Sequence, residues 1–266
     1  MKSEFRVKLA KYMDAGFPII YVDSYEEEKI DSILKDIAEG REVIEWNGAR
    51  GLVDFDTKVP QLFNMNELPA VLDLFLDKEE LERKIIVLKD CNSYIENPEV
   101  IAKLKNMALL IGQGVEATII IISTVVTIPP ELEKYITILE MGYLSAPEIR
   151  ELIQDFINEN NLPMIGEQLL SEFALAFKGL SEFEINNLLA LAYSNDGELT
   201  KGDLSLIFDQ KQQTIKKSGI LEMIPLKESL EDIGGLDNMK NWLKKKARVF
   251  KNIEAAEKFG VDMPKG

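Results

Sequence analysis

Short apolar runs alternate with amphipathic segments along the first half of the chain. Phe17–Val22, Lys84–Lys89 and Thr118–Thr124 are rich in β-branched residues, which predicts buried strands. Between the strands, apolar residues recur at helical spacing, as they do from Ile30 to Ile37. Continuous apolar strands separated by such helices predict a parallel sheet with helices on both faces. We therefore expect a three-layer α/β domain over residues 1–143.

Further elements of the same kind complete this domain. Glu42–Trp46 and Ile136–Leu139 are predicted as shorter strands, and Leu68–Phe75 as an amphipathic helix. Asn97 followed by Pro98 marks another helix start, because Asn caps free amides and Pro fits the first helical position.

The pattern then changes to helices alone. Ser145 with Glu148, and Ser181 with Glu184, match the capping box, in which each side chain satisfies a free amide at a helix start. Apolar residues follow both boxes at helical spacing. These signals predict a small helical bundle over residues 144–217.

The last part of the chain has a different composition. Residues 218–230 contain Gly219 and Pro225 and are predicted to be a linker. The run 240–251 is basic and places Trp242 among apolar residues of one helical face. A nucleic-acid or membrane patch is one interpretation. Packing of the apolar stripe on a following domain is the favoured one.

Composition excludes several classes of function. The 266 residues carry a net charge of −15, which disfavours general binding of nucleic acid. The absence of histidine removes imidazole bases and His-ligated metals, and the single cysteine, Cys91, is predicted to be a buried or idle thiol. The charged N-terminus is unlike a signal peptide, so we expect a soluble cytoplasmic protein without membrane contact.

Several motifs together carry a resemblance to a known family. Ile119–Thr124, Ile128–Leu132 and Gly179–Ser181 resemble the sensor strand, following turn and lid turn of AAA-type ATPases. Asp232–Leu236 resembles the segment that leads into an AAA nucleotide site. The chain is similar to the N-terminal part of the uncharacterised AAA-type ATPases of a conserved plastid and bacterial reading-frame family.

The resemblance implies an architecture and a set of partners. The α/β domain would be a RecA-like core, the bundle its helical lid, and residues 231–266 the start of a second AAA domain. Family membership implies ATP and Mg²⁺ in the whole protein, contact with its own C-terminal AAA domain, a homo-oligomeric ring and a protein partner of unknown identity. The phosphate loop of the second domain would follow Gly266.

The same resemblance names three residues of a nucleotide site. Asp232, Ile233 and Gly234 would lie against the adenine of a nucleotide held by the domain that follows. Glycine allows the backbone to approach a ring, and isoleucine offers an apolar face, so these residue types suit that role. Without a phosphate loop they are not expected to bind ATP by themselves.

The first module departs from the family pattern at each catalytic position. The sequence G-x-x-x-x-G-K-[ST] is absent, and the expected phosphate loop, Val22–Lys29, has no glycine and is acidic. Lys89 takes the place of a metal ligand, and Asp90 is left as a degenerate acidic position expected to cap a turn. Lys134 stands near the place of an arginine finger but lacks the planar guanidinium fork. We therefore expect no catalytic residue, cofactor or metal site in residues 1–266.

The loop Asn47–Gly51 after Trp46 has two interpretations. Its glycines, Arg50 and the adjacent aromatic ring suit contact with a partner or ligand. The favoured interpretation is a strand end whose Trp46 completes the core.

Three hypotheses of function follow. The first is a non-catalytic regulatory or assembly module of an AAA-type ATPase that remodels its substrate with ATP. The second is a non-enzymatic protein-binding scaffold that resembles a clamp-loader subunit. The third is an unrelated enzyme that uses carboxylates at strand ends. The carboxylates of the third hypothesis are Asp23, Asp54, Asp56 and Asp90.

Overall fold

The computed structural model describes residues 4–61, 65–217 and 234–251, together with Leu230, Asp232 and Gly260. The chain divides into two compact units, of which the first ends at Phe208 and the second begins at Asp209. No helix within these described ranges is long and apolar enough to cross a membrane. The predicted linker, 218–230, lies outside the described residues except for Leu230.

In the described part of the chain, six strands form one sheet in the order β3-β2-β4-β5-β1-β6. The strands are β1 (Ile19–Asp23), β2 (Glu42–Asn47), β3 (Gly51–Asp54), β4 (Lys84–Lys89), β5 (Ala117–Ser123) and β6 (Ile136–Glu140). All neighbours pair in parallel except β2 and β3, which are antiparallel. The predicted α/β fold with a parallel sheet is confirmed.

Helices precede, cover and follow this sheet. They are α1 (Glu4–Asp14), α2 (Glu27–Ile37), α3 (Leu68–Leu72), α4 (Lys78–Leu81), α5 (Pro98–Gly112), α6 (Ala146–Glu159), α7 (Glu167–Phe177), α8 (Glu182–Asp196), α9 (Leu204–Lys217) and α10 (Asp237–Lys251). The predicted helix at Leu68–Phe75 is α3 continued by a 3₁₀ turn over Asp73–Phe75. Asn97 caps α5 as predicted, since its side chain accepts a hydrogen bond from the Glu99 amide at 2.9 Å.

The central strands of the sheet are buried along their length, because helices cover both apolar faces of the sheet. All seven residues of β5 are buried. Ile119 and Ile121 join the cluster that includes residues of α3 and α5, whereas Ile120 and Ile122 join the cluster with α1 and α2. Successive side chains of a strand point to opposite faces of the sheet, so one apolar run packs against helices on both sides.

Helix α1, the one-turn helix α4 and strand β3 were not predicted from the sequence. Helix α1 buries Phe5, Leu9 and Met13 at four-residue spacing, although charged residues separate them. Strand β3 is only four residues long, too short to show an alternating pattern, and it extends the sheet as a hairpin with β2.

The helical region, α6 to α8, has its own apolar core around Ile153, Phe173 and Leu189. Both predicted capping boxes are present, and the Ser145 and Ser181 amides each donate to a glutamate at 2.9 Å. Helices follow the sheet in the order predicted for a lid-like bundle.

Candidate functional site

A cleft of about 440 Å³ lies at the carboxyl edge of the sheet, where doubly wound folds bind their ligands. It is lined by the ends of β1 and β6, by the segment that follows β6, and by the turn before α8. The carboxylates of Asp23, Glu26 and Glu140 line it together with Tyr25 and Tyr143. A degenerate nucleotide site is predicted at this position, where β1 joins α2.

The junction loop, Ser24–Glu26, connects β1 to α2. Ser24 is buried, and its hydroxyl oxygen accepts a hydrogen bond from the Glu26 amide at 3.0 Å. Glu26 occupies the N-cap position of α2 but makes no side-chain cap there, and Glu27 and Glu28 follow in the first turn. A phosphate group would meet carboxylates at this helix start instead of free amides, so the loop does not fit a triphosphate.

Lys89 ends β4 with its ammonium group buried. Its Nζ lies 2.7 Å from Asp31 Oδ2, 3.3 Å from Glu45 Oε2 and 3.7 Å from Glu27 Oε2. The side chain is only 5% exposed, and those of Asp31 and Glu45 are 10% and 2% exposed. The ammonium group of Lys89 therefore forms ion pairs with carboxylates of α2 and β2. By the family resemblance, Lys89 stands where a metal ligand is expected. These residues do not fit a magnesium site.

A second cation completes what we call the Lys89 cluster: Lys89, Lys58, Glu27, Asp31 and Glu45. Lys58 Nζ lies 2.8 Å from Asp31 Oδ2, also contacts Glu45, and sits 4.2 Å from the centre of the Phe55 ring. Burial lowers the pKa of Lys58, but its hydrogen bonds to both carboxylates outweigh this and raise it overall. For Glu27, burial has the opposite effect and raises the pKa of the carboxyl group, although the nearby charge of Lys89 lowers it.

Sequence reasoning missed Asp31, Glu45 and Lys58 as members of this cluster. A signal for two of them was present, because Asp31 interrupts the apolar face of α2 and Glu45 lies between Ile44 and Trp46 in a buried strand. A charged residue at a buried position indicates a partner, but the sequence did not identify which one.

Asp90 follows Lys89 in a left-handed backbone conformation, with φ of 51°, and is exposed. It does not line the cleft, and its predicted capping role stays a prediction. Asn92 holds the neighbouring strand end, since Ser123 Oγ donates to Asn92 Oδ1 at 2.9 Å. Cys91 is fully buried, which confirms its predicted burial, and burial raises the pKa of its thiol to about 12.

Trp46 is 1% exposed, which confirms the core interpretation of its loop. Its indole N–H donates to the Asn66 carbonyl at 3.0 Å, and its ring meets Tyr94 edge-on at 5.2 Å. Gly51 ends the turn with φ of +71°, and a Cβ there would lie 2.4 Å from the Met65 carbonyl oxygen. This glycine is required by close packing of backbone.

Two further carboxylates of the enzyme hypothesis, Asp54 and Asp56, have structural partners. Asp54 accepts hydrogen bonds from Thr57 at 2.8 and 2.7 Å, which form a turn, and Asp56 pairs with Lys35 at 2.9 Å. Among the described residues, no group of three or more possible ligands could hold a metal ion. Lys134, near the place of an arginine finger, is exposed.

The junction loop contacts the helical region directly. Glu26 Oε1 accepts a hydrogen bond from the backbone amide of Glu182, the first residue of α8. Lys29 Nζ lies 3.2 Å from Glu182 Oε2. Sequence reasoning did not find these contacts, because the two segments are 156 residues apart and each resembles an ordinary solvated helix start.

The predicted adenine-side residues belong to the second unit. Asp232 lies in an exposed turn, Gly234 is exposed, and Ile233 lies outside the described residues. Helix α10 begins directly afterwards at Asp237. The role of these three residues in a nucleotide site stays a prediction.

Solved structures share this fold at low sequence identity. The RuvB Holliday junction branch migration motor of Thermotoga maritima matches with a TM-score of 0.51 and 12% identity, covering 98% of this chain and 80% of that chain. A Walker-type ATPase of Pyrococcus abyssi matches with a TM-score of 0.51 and 12% identity, covering 83% of this chain and 73% of that one. Likeness at this level shows the fold alone.

Relatives at the sequence level are more similar. The uncharacterized AAA domain-containing protein ycf46 of Guillardia theta is 33% identical over 259 residues, which are 96% of this chain and 50% of that protein. The protein of the same name in Trieres chinensis is 29% identical over 99% of this chain and 52% of that protein. The chain thus spans about half the length of the curated relatives it matches.

Two family models cover nearly all of the first unit. Residues 5–141 match the N-terminal domain of SpoVK-like AAA ATPases, and residues 147–218 match the second domain of the same proteins. The chain belongs to the SpoVK-like AAA ATPase family.

Proposed function

We propose that residues 1–217 are a non-catalytic regulatory or assembly module of an AAA-type ATPase, made of an α/β domain over 1–143 and a helical lid over 144–217. The Lys89 cluster is the observation that carries this proposal. A buried ammonium group pairs with the carboxylates of Glu27, Asp31 and Glu45 and would repel Mg²⁺ at this position, and removing either partner from such a cluster is costly. The acidic junction loop supports the same conclusion, since carboxylates oppose a triphosphate.

ATP binding and hydrolysis are assigned to a following AAA domain of the whole protein. The matched relatives are about twice as long as this chain, which leaves room for such a domain. Asp232, Ile233 and Gly234 would lie on the adenine side of its site. Helix α10 supports this arrangement, since Met239 and Trp242 are each 56% exposed and would pack on that domain. Ring assembly of the whole protein is part of the same proposal.

Nucleotide binding and turnover test the proposal. Titration of residues 1–266 with a fluorescent ATP analogue and Mg²⁺ is expected to give no saturable signal up to about 1 mM, the upper end of ordinary KM values. Phosphate release is expected to stay at background, whereas the full-length protein is expected to hydrolyse ATP. Turnover by residues 1–266 that scales with protein concentration and co-elutes with it would overturn the proposal.

A matched variant separates this module from the following domain. Lys89→Met in the full-length protein removes the positive charge from the degenerate site without touching the proposed catalytic domain. We expect the KM for ATP to stay unchanged in this variant if it remains folded. A saturable nucleotide signal from residues 1–266 that Lys89→Met changes would place nucleotide at the first module after all.

A further inference from the structure

The start of α8 needs a hydrogen-bond acceptor from outside its own helix. The capping box satisfies two amides, because Ser181 N donates to Glu184 at 2.9 Å and Glu184 N donates to Ser181 Oγ at 3.2 Å. The amide of Glu182 is not part of that exchange. Free amides at a helix start carry partial positive charge and favour an anion.

Glu26 supplies that anion from the α/β domain. Its carboxylate accepts from the Glu182 amide instead of capping α2, for which it stands at the N-cap position. Lys29, one turn further along α2, forms the ion pair with the Glu182 side chain at 3.2 Å. Two contacts thus join the same two elements at one residue of α8.

The junction loop is held in place for this contact. Ser24 Oγ accepts from the Glu26 amide at 3.0 Å, and the Ser24 amide donates to the Ser123 carbonyl at 3.4 Å. Burial raises the pKa of Glu26, while the hydrogen bond from the Glu182 amide acts in the opposite direction. The Glu26 carboxylate is therefore partly buried, and its loop is hydrogen-bonded to the end of β5.

We propose that Glu26, Lys29 and Glu182 form a latch that holds the helical region on the α/β domain in one orientation without nucleotide. The carboxylate of Glu26 provides the negative charge at the α8 start, so this contact between the two parts needs no bound anion. The latch borders the cleft, which Glu26, Lys29 and Ser181 all line. This inference deepens the proposed function and rests on it in one respect, that no nucleotide enters the cleft.

Distance measurements between spin labels test the latch. Glu79→Cys on α4 and Asn187→Cys on α8 place labels on exposed positions of the two parts, and the native thiol of Cys91 is buried. We expect one narrow distance distribution in the parent, with or without ATP and Mg²⁺. Glu26→Ala is expected to broaden it, whereas Glu28→Ala, an exposed glutamate in the same helical turn, is the control that leaves it unchanged.

Hydrogen exchange at the Glu182 amide gives a local readout. We expect exchange at least about tenfold faster in Glu26→Ala, as for loss of a hydrogen bond to a charged group. Glu26→Gln keeps an acceptor oxygen and is expected to lose less protection. Lys29→Glu is expected to broaden the distribution of label distances. Addition of Glu182→Lys is expected to restore the narrow distribution, because the double variant forms the same ion pair with the charges reversed.

Each outcome decides for or against the latch. Unchanged distances and exchange in Glu26→Ala, equal effects of Glu28→Ala, or no rescue by the charge reversal would overturn it. If Glu26→Ala does not fold, Glu26→Gln and the charge reversal carry the same decision. A parent distribution that shifts on addition of ATP and Mg²⁺ would instead contradict the proposed function, so the two failures are distinguishable.

Discussion

Replacement of Lys89 by methionine is the most direct perturbation of the Lys89 cluster. Methionine keeps an unbranched side chain of similar length but removes the charge that faces Asp31, Glu45 and Glu27. Removing one partner from a buried ion pair costs about 3–5 kcal/mol, because the remaining charge is left buried and unpaired. We expect a loss of about 3 kcal/mol in the free energy of unfolding, at the lower end of that range.

The lower end applies because the cluster retains partners. Lys58 continues to contact Asp31 and Glu45, and the Glu27 side chain is 41% exposed and can turn to water. Asp31 Oδ1 has no hydrogen-bond partner and gains none in the variant. The cost therefore falls mainly on Asp31 and Glu45, which share two cations in the parent and one afterwards.

Lys84→Met is the matched control on the same strand. Lys84 pairs with Glu42, but that carboxylate is 60% exposed, and exposed pairs contribute about 0–1 kcal/mol. Urea unfolding followed by Trp46 fluorescence in a Trp242→Phe background reports on the α/β domain alone, since the chain has two tryptophans and Trp46 pairs with Leu88 across the sheet.

A second substitution distinguishes charge from packing. Glu45→Gln added to Lys89→Met removes one of the two carboxylates that then share a single cation, Lys58, and is expected to recover part of the lost stability. Equal losses in Lys89→Met and Lys84→Met, or a further loss on adding Glu45→Gln, would refute the electrostatic reasoning. Equal losses would mean that Lys89 contributes mainly through its aliphatic stem, which methionine keeps.

The remaining predictions concern single positions in the core. Because burial raises the pKa of the Cys91 thiol to about 12, Ellman's reagent is expected to leave it unmodified at about pH 8 and to react once urea unfolds the chain; rapid labelling of the folded protein would contradict its burial. Gly51→Ala is expected to lose more than about 1 kcal/mol of stability, since the new Cβ would meet the Met65 carbonyl and φ is positive. Gly112→Ala, where a Cβ meets nothing, is the control, expected to be neutral or to gain up to about 1 kcal/mol in thermal or urea unfolding.

Periodicity in the sequence was sufficient to predict most of the sheet and the helical region. The apolar run at Ile119–Ile122 and the capping boxes at Ser145 and Ser181 are local signals, and the structure confirms the elements that they predicted. A parallel sheet buries both faces of its strands, so its strands are visible as continuous apolar runs. Helix α1 and strand β3 lack such a run and were missed.

The sequence by itself also determined that the first module departs from a nucleotide site. The acidic, glycine-free junction at Val22–Lys29 and the lysine at position 89 are properties of residue type and order. They support the proposal that this module binds no nucleotide, because phosphate and Mg²⁺ require particular charges wherever the chain folds. The family resemblance supplied the positions at which to look.

Only the tertiary structure decided what stands in place of that site. The partners of Lys89 come from α2 and β2, and the partner of Glu26 lies 156 residues away at the start of α8. Sequence patterns report the face on which a residue lies, but not which distant charge it meets. Ion pairs and helix caps depend on distances of a few ångströms between elements, and those distances are set when the layers pack.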